Sequence, residues 1–235
     1  MNICGNGRIP GGEYENISIS GKGKLFGNVK CGEFRASGSV SGESLECTEN
    51  MKLSGFGSFS ESVTAQNVRV SGSFSCGALT VKENLFCAGK LKINGNVNCK
   101  SLNVKGAASF LDSVTAECAE VSGAIKCESI VKADKLSIKA DGKSYIGCAE
   151  AEKVSILAKK IKSIFKRIPL LSRAFKNFTV CSYVKATEVE LEYVDCPLVT
   201  GRTVKIGRGC NIELVEYTES IEISDKANVM KIEKI

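Results

Sequence analysis

Cysteine is the main candidate for a reactive or metal-binding residue in this chain, because 12 cysteines and no histidine occur among its 235 residues. Without imidazole, reactions that need a histidine base or nucleophile, and metal sites with histidine ligands, are excluded. The cysteines form no CxxC motif, and Cys181, Cys196 and Cys210 are spaced too widely for a zinc knuckle. The sequence therefore predicts no catalytic residue, no cofactor and no metal, and the protein is not expected to be an enzyme.

A glycine repeat indicates the elements that position these cysteines. Seven glycines recur with a constant period of 17, namely Gly21, Gly38, Gly55, Gly72, Gly89, Gly106 and Gly123. The position two residues before each glycine is apolar or small, and a second apolar position lies two residues earlier. Because alternate residues of a strand share a face, this spacing predicts strands rather than helices. Short strands that repeat with this period predict an all-β fold, a parallel β-helix (solenoid) whose coils stack about 4.8 Å apart.

The cysteines occupy inward positions of this repeat. Six of them alternate with Ala, Val and Ile of other coils and are expected to act as small hydrophobic side chains: Cys31, Cys76, Cys87, Cys99, Cys127 and Cys148. Cys31 and Cys99 lie four coils apart, about 19 Å, which is too far for a disulfide. In one apolar column Leu45 and Leu79 stand one residue early, so two coils are expected to slip and recover. The first slip places Cys47 over Cys31, the one adjacent pair that could oxidise.

A basic segment interrupts the repeat. On a helical wheel the apolar residues cluster within about 120° and the basic residues take the remaining arc, which is typical of an amphipathic α-helix. The apolar set is Leu157, Ile161, Ile164, Phe165, Ile168, Leu171 and Phe175, and the basic set is Lys159, Lys160, Lys162, Lys166, Arg167, Arg173 and Lys176. Two interpretations stay open at equal weight: an anchor on an anionic membrane surface, and a cap that covers the β-helix.

The period of 17 returns after this segment. Val189, Ile206 and Ile223 are in step, and so are Ile212 and Val229, which predicts two or three further coils. The predicted organisation is a flexible N-terminal segment (1–12), a β-helix of about eight coils (13–156), a basic helical insertion (157–177) and C-terminal coils (178–235).

Charge and hydropathy limit the cellular locations and the binding partners that can be expected. The net charge is +6, and the basic segment supplies seven positive charges without an acid, which leaves −1 for the remaining residues. Basic residues confined to one segment disfavour a nucleic-acid partner. No leader for export and no run of eighteen apolar residues is recognisable, so the expected location is the reducing cytoplasm. The inner face of the cell membrane is the further expected site.

Two stretches of the chain resemble the bactofilins, bacterial polymer-forming cytoskeletal proteins. The first is Gly11-Gly12-Glu13-Tyr14 running into Ile17-Ser18-Ile19-Ser20-Gly21, followed by the Ser-Gly coils of the repeat. The second, Val199-Thr200-Gly201-Arg202 with Gly209-Cys210-Asn211-Ile212, is similar to the longer Gram-positive members. The resemblance implies a right-handed β-helix that polymerises end to end without nucleotide as a scaffold, often at the membrane. The chain lacks the apolar N-terminal membrane motif of the short members, so their mode of attachment does not transfer.

The repeat leads to the same function, because the end coils of a β-helix leave unpaired backbone groups that template pairing with another chain. We expect the polymer interface at Ile17 and Ile19 on one end and at Val229 and Ile232 on the other. The expected partner is the chain itself, with an anionic membrane surface as the second, and no nucleic acid or small-molecule substrate. The alternatives are a monomeric membrane-surface adaptor and a β-helix enzyme acting on polysaccharide.

Overall fold

A computed structural model describes residues 1–158 and 178–235 of the chain. These residues form fifteen β-strands and no helix. The chain divides into two compact units, unit 1 (Met1–Glu117) and unit 2 (Cys118–Ile235). The strands of unit 1 are β1 (Asn2–Ile9), β2 (Gly12–Leu25), β3 (Asn28–Gly42), β4 (Ser44–Cys47), β5 (Asn50–Phe59), β6 (Val63–Ala65), β7 (Asn67–Cys76), β8 (Leu79–Ile93) and β9 (Val97–Phe110).

Every strand pair of unit 1 is parallel, and each coil of the chain lies on the preceding one. The longer strands bend from one side of the coil to the next. The first residues of β3 pair with β4 through Asn28↔Ser44, whereas its later residues pair with β5 through Phe34↔Met51. This arrangement is the parallel β-solenoid that the repeat predicts, and it matches the right-handed β-helix that the sequence resemblance implies.

The repeat glycines form a ladder in which each lies directly over the next, as in Gly38↔Gly55 and Gly55↔Gly72. Gly55 has a φ of 124°, a conformation that L side chains rarely adopt. A Cβ at Gly55 would also lie 2.1 Å from the carbonyl oxygen of Gly38. The bend therefore requires glycine for its backbone conformation and for the close approach of neighbouring coils.

The core of unit 1 is the interior of the solenoid, filled by the apolar columns predicted from the repeat. Phe34, Met51, Val68 and Leu85 pair in succession, and each is at most 1% exposed. The predicted slip is confirmed by a second column of successive partners, Val29, Leu45, Val63, Leu79 and Val97. Every residue of this column is aliphatic, although the sequence separation between successive partners is alternately one residue shorter and one residue longer than 17.

The N-terminal residues differ from the prediction of a flexible segment over 1–12. Residues Asn2–Ile9 are strand β1, which pairs with β2 from Asn2↔Ser18 to Ile9↔Leu25. These partners are one residue closer in sequence than the period, and Ile9 is fully buried against the coil that follows. The segment is ordered because its backbone donors and acceptors join the parallel ladder and its apolar residues continue the inward columns.

Unit 2 is also a parallel solenoid. Strand β10 (Val114–Ala140) begins in unit 1 and continues in unit 2, where it is followed by β11 (Lys143–Ala158), β12 (Phe178–Leu191), β13 (Val194–Ile206), β14 (Asn211–Ile223) and β15 (Asn228–Lys234). Consecutive strands pair in this order. Its core contains Ile138, Ile156, Leu191 and Ile206, each at most 1% exposed.

The basic insertion falls between two coils that are neighbours in space. Strands β11 and β12 pair directly, from Lys143↔Phe178 to Ile156↔Leu191. The predicted helix lies outside the described residues except at its start. Leu157, predicted as its first apolar residue, is instead a strand residue of β11 and pairs with Lys139. The ladder to β10 extends to Ala158, so it includes two residues that were assigned to the insertion.

The register of the C-terminal coils departs in part from the predicted period of 17. Ile206↔Ile223 and Ile212↔Val229 pair as predicted. Val189, however, pairs with Val204, two residues earlier than the period requires, so its predicted step to Ile206 is wrong. The coil between β12 and β13 is shorter because its bends contain fewer residues, while its inward positions remain apolar.

Candidate assembly and contact surfaces

Strand β1 forms the end surface of unit 1. Within the described parts of the chain β1 pairs with β2 alone, so its other edge carries backbone donors and acceptors without a strand partner. Met1 is 46% exposed, Cys4 is exposed and Ile3 is half-buried. Ile17 and Ile19, the residues predicted for a polymer interface, are covered by β1 and are only 1% and 2% exposed. This placement corrects that prediction, because one additional coil precedes them.

Strand β15 forms an end surface of unit 2 and is more apolar. Among residues 1–158 and 178–235 its one strand partner is β14. Met230, Ile232 and Ile235 are 69%, 47% and 64% exposed, and Val229 is half-buried. Val229 and Ile232 are both residues of β15, and their role in a polymer interface stays a prediction. A terminal parallel strand with exposed apolar side chains offers a template for another strand.

Burial makes the thiols of Cys76, Cys87 and Cys99 weaker acids than an exposed thiol. Burial raises the pKa of Cys76 and Cys99 to about 12 and that of Cys87 to about 11, because the thiolate loses its hydration in the interior. Cys76, Cys87 and Cys127 are buried as predicted, whereas Cys99 and Cys148 are partly exposed. No cluster of three or more metal-ligating side chains occurs in the described residues.

The predicted pair of Cys31 and Cys47 is confirmed. The two residues are register partners on β3 and β4, and their Sγ atoms are 3.4 Å apart. Both side chains are buried. They are free thiols at hydrogen-bond distance in a position where a disulfide could form.

The other predicted site residues belong to the basic segment. Apart from Leu157, all lie outside the described residues: Ile161, Ile164, Phe165, Ile168, Leu171, Phe175, Lys159, Lys160, Lys162, Lys166, Arg167, Arg173 and Lys176. The choice between anchor and cap thus stays a prediction. No helix in the described part of the chain is long and apolar enough to cross a membrane.

Sequence reasoning missed one surface, the outer side of the strand segments that follow the glycine ladder. We call it the post-glycine face and define it as the residues one and three positions after each ladder glycine from Gly5 to Gly106. It could have been found by reading the outward columns of the repeat as closely as the inward ones. Residues 17 apart in sequence become neighbours on this face, so its basic residues do not form a cluster in any short stretch of the sequence.

The fold places the protein among parallel β-solenoids, a class built from stacked coils with free terminal strands. A family model described as "Bactofilin: Polymer-forming cytoskeletal" matches residues 35–111, which lie in unit 1. This match supports the resemblance to the bactofilins over residues 35–111 of the chain. Comparisons with curated proteins and with solved structures gave no significant match.

Proposed function

We propose that this protein assembles end to end into filaments without nucleotide and acts as a scaffold. The main support is that each terminal strand has one free edge: β1 and β15 each have one partner strand among the described residues. Addition of a further strand would satisfy the backbone groups of the free edge and bury Met230 and Ile232. The match of residues 35–111 to a polymer-forming cytoskeletal family model supports this function and a structural rather than an enzymatic role.

The location that we propose is the cytoplasmic side of the cell membrane. The support is the sequence of the basic segment after β11, where seven Lys and Arg residues are interspersed with six of the predicted apolar residues. Such a composition binds anionic lipid surfaces by charge and by burial of apolar side chains. The segment connects β11 with β12, so every subunit of a filament would carry one copy. Many weak contacts along one filament would add as avidity.

Electron microscopy of the purified full chain in negative stain tests the filament proposal. We expect filaments in buffer without nucleotide, with unchanged length after addition of ATP or GTP. A monodisperse monomer at micromolar concentration, measured by light scattering on the same sample, contradicts the proposal and favours a monomeric membrane adaptor. Filaments that appear only with nucleotide also contradict it.

A further inference from the structure

The post-glycine face has an unusual charge distribution. Its outward positions include Arg8, Lys22, Lys24, Lys90 and Lys92 and no acidic residue. Unit 1 contains ten acidic residues, and all of them lie elsewhere on the unit. None of the five basic residues forms an ion pair within residues 1–158 and 178–235. The face therefore carries a positive potential without internal compensation.

Phe56 lies in the middle of this face and is 68% exposed. Its column runs through Lys22, Ser39, Phe56, Ser73 and Lys90 on successive coils. Neighbouring coils are about 4.8 Å apart, so each lysine is about 10 Å from Phe56 and the two lysines are about 19 Å from each other. The adjacent outward column adds Lys24 and Lys92 at the same two levels. An exposed aromatic ring thus stands between two pairs of lysines.

A shallow depression marks one end of the face. It has a volume of about 520 Å³, and its polar lining consists of Asn6, Arg8, Lys22, Lys24, Ser39 and Ser41. Three cationic groups, two hydroxyl groups and an amide offer hydrogen-bond donors to a phosphate, and no carboxylate opposes it. Phe26 lies beside the depression, with the Lys24 Nζ atom 5.0 Å from its ring centroid.

We propose that the post-glycine face binds an anionic phospholipid surface. Phe56 enters the boundary between headgroups and acyl chains, the lysine pairs contact headgroup phosphates on both sides, and the depression holds one phosphate. This contact goes beyond the proposed scaffold function, and it is independent of residues 159–177. It would fix which side of unit 1 faces the membrane.

The arrangement favours a lipid surface over a nucleic-acid strand. The basic groups are distributed in two dimensions across a sheet surface, with Phe56 between them. A planar surface contacts both lysine pairs and the aromatic ring at the same time. A nucleic-acid strand follows one line of phosphates, and proteins that bind it place aromatic rings beside a basic groove. Phe56 is about 10 Å from the nearest lysine of its column, and Phe26 lies only at one end of the face, so the two rings do not form a row along a basic groove.

A tryptophan at position 56 tests the proposal, because the chain contains no natural tryptophan. The full-length Phe56→Trp protein is mixed with vesicles of phosphatidylglycerol and phosphatidylcholine, and its fluorescence is compared with that of Leu111→Trp. Leu111 is 47% exposed and lies outside the face. We expect a blue shift and quenching by brominated acyl chains at position 56 and neither effect at position 111. Phosphatidylcholine alone should give no shift.

Sedimentation with the same vesicles measures the charged contacts. Lys22→Gln with Lys24→Gln should weaken binding roughly thirtyfold, since each lysine near the surface contributes about 1 kcal/mol. Lys52→Gln with Lys82→Gln removes equal charge from other exposed positions and should weaken it by less than about threefold. Equal effects of the two pairs, or sedimentation without a blue shift at position 56, overturn the proposal.

Two further arms identify the source of the phosphate. If inorganic phosphate displaces the protein more than chloride at equal ionic strength and position 56 gives no shift, the ligand is a soluble phosphate and the lipid proposal is wrong. A response of the Phe56→Trp fluorescence to a single-stranded oligonucleotide but not to vesicles overturns it as well. Filaments of each variant in negative stain separate this result from the scaffold function, which none of these substitutions should affect.

Discussion

Cys31 and Cys47 are direct register partners, and their Sγ atoms lie 3.4 Å apart in the interior of unit 1. This contact exists because Leu45 stands one residue early in its column, which shortens the coil by one residue at this point. The hydrogen bond with Cys47 lowers the pKa of Cys31. The same hydrogen bond, together with burial, raises the pKa of Cys47. Cys31 therefore loses its proton more readily than Cys47, and the Cys47 thiol is then the donor of the hydrogen bond to the Cys31 thiolate.

We predict that mild oxidation forms one intramolecular disulfide between these residues. Adjacent parallel strands place Cα atoms about 4.8 Å apart, within the range of about 4.4 to 6.8 Å that a disulfide requires. The rate should rise with pH, since deprotonated Cys31 is the nucleophile. Treatment with diamide followed by peptide mapping without reductant measures the product. Cys47→Ala is the matched control and should form no internal bridge, and a bridge to any other cysteine in the native chain contradicts the prediction.

The glycine ladder gives a prediction about stability. Gly72 has a φ of 130°, and a Cβ at this position would lie 2.2 Å from the carbonyl oxygen of Gly55. Gly72→Ala should therefore lower the free energy of unfolding by at least about 2 kcal/mol, because backbone strain adds to the steric conflict. Ser71→Ala changes an exposed neighbour and should stay within about 0.5 kcal/mol of the wild type. Urea denaturation followed by circular dichroism compares the two variants, and equal midpoints would show that the ladder does not need glycine.

The repeat predicted the inward columns because a fixed period stacks identical backbone positions, so burial and sequence class coincide over several coils. Strand β1 was missed, since Gly5 lies one residue too close to Gly21 and falls outside a strict period. The short coil between Val189 and Val204 was missed for the same reason. Strand pairing tolerates bends of different length, provided that the inward residues match. The post-glycine face was missed because outward residues have no burial requirement that repeats.

A second stability prediction concerns whether apolar packing or disulfides stabilise the folded coils. Val97 is fully buried and pairs with Leu79, so Val97→Asp places an uncompensated charge in the interior and should cost several kcal/mol. Cys99 is partly exposed, and Cys99→Ala should cost about 1 to 2 kcal/mol. Thermal melts followed by circular dichroism, with and without dithiothreitol, measure both. A melting temperature that falls in reductant contradicts the view that apolar packing, and not disulfides, holds the coils.

The terminal strands can be tested separately from the fold. Ile232→Asp on β15 and Ile3→Asp on β1 place a charge at an end surface, where a partner strand would have to bury it. Each variant should give short soluble species with an unchanged β-sheet spectrum. Val180→Asp is the matched control, because Val180 is 38% exposed but already has strand partners on both sides, Tyr145 and Asp195. Filaments of wild-type length in both end variants would remove the terminal strands from the assembly interface.

The last prediction distinguishes the two roles of the basic segment. If the segment is an anchor, anionic vesicle binding combines burial of apolar side chains with about 1 kcal/mol for each basic residue near the surface. Salt screens the second contribution and leaves the first, so binding should weaken strongly between low and high salt. Phe165→Ser with Ile168→Ser should reduce binding and leave the melting temperature unchanged.

If the segment caps the solenoid instead, the same double substitution lowers the melting temperature, and vesicle binding does not respond to it. The Phe56→Ser variant serves as the control in both cases, because it changes the post-glycine face and keeps the segment intact. If two separate surfaces contact the membrane, the loss of binding free energy caused by Phe56→Ser should add to the loss caused by the double substitution, since independent contacts contribute additively. Vesicle binding that ignores salt, lipid charge and both sets of substitutions contradicts the anchor. In that case neither the apolar nor the electrostatic contribution of residues 159–176 reaches the membrane.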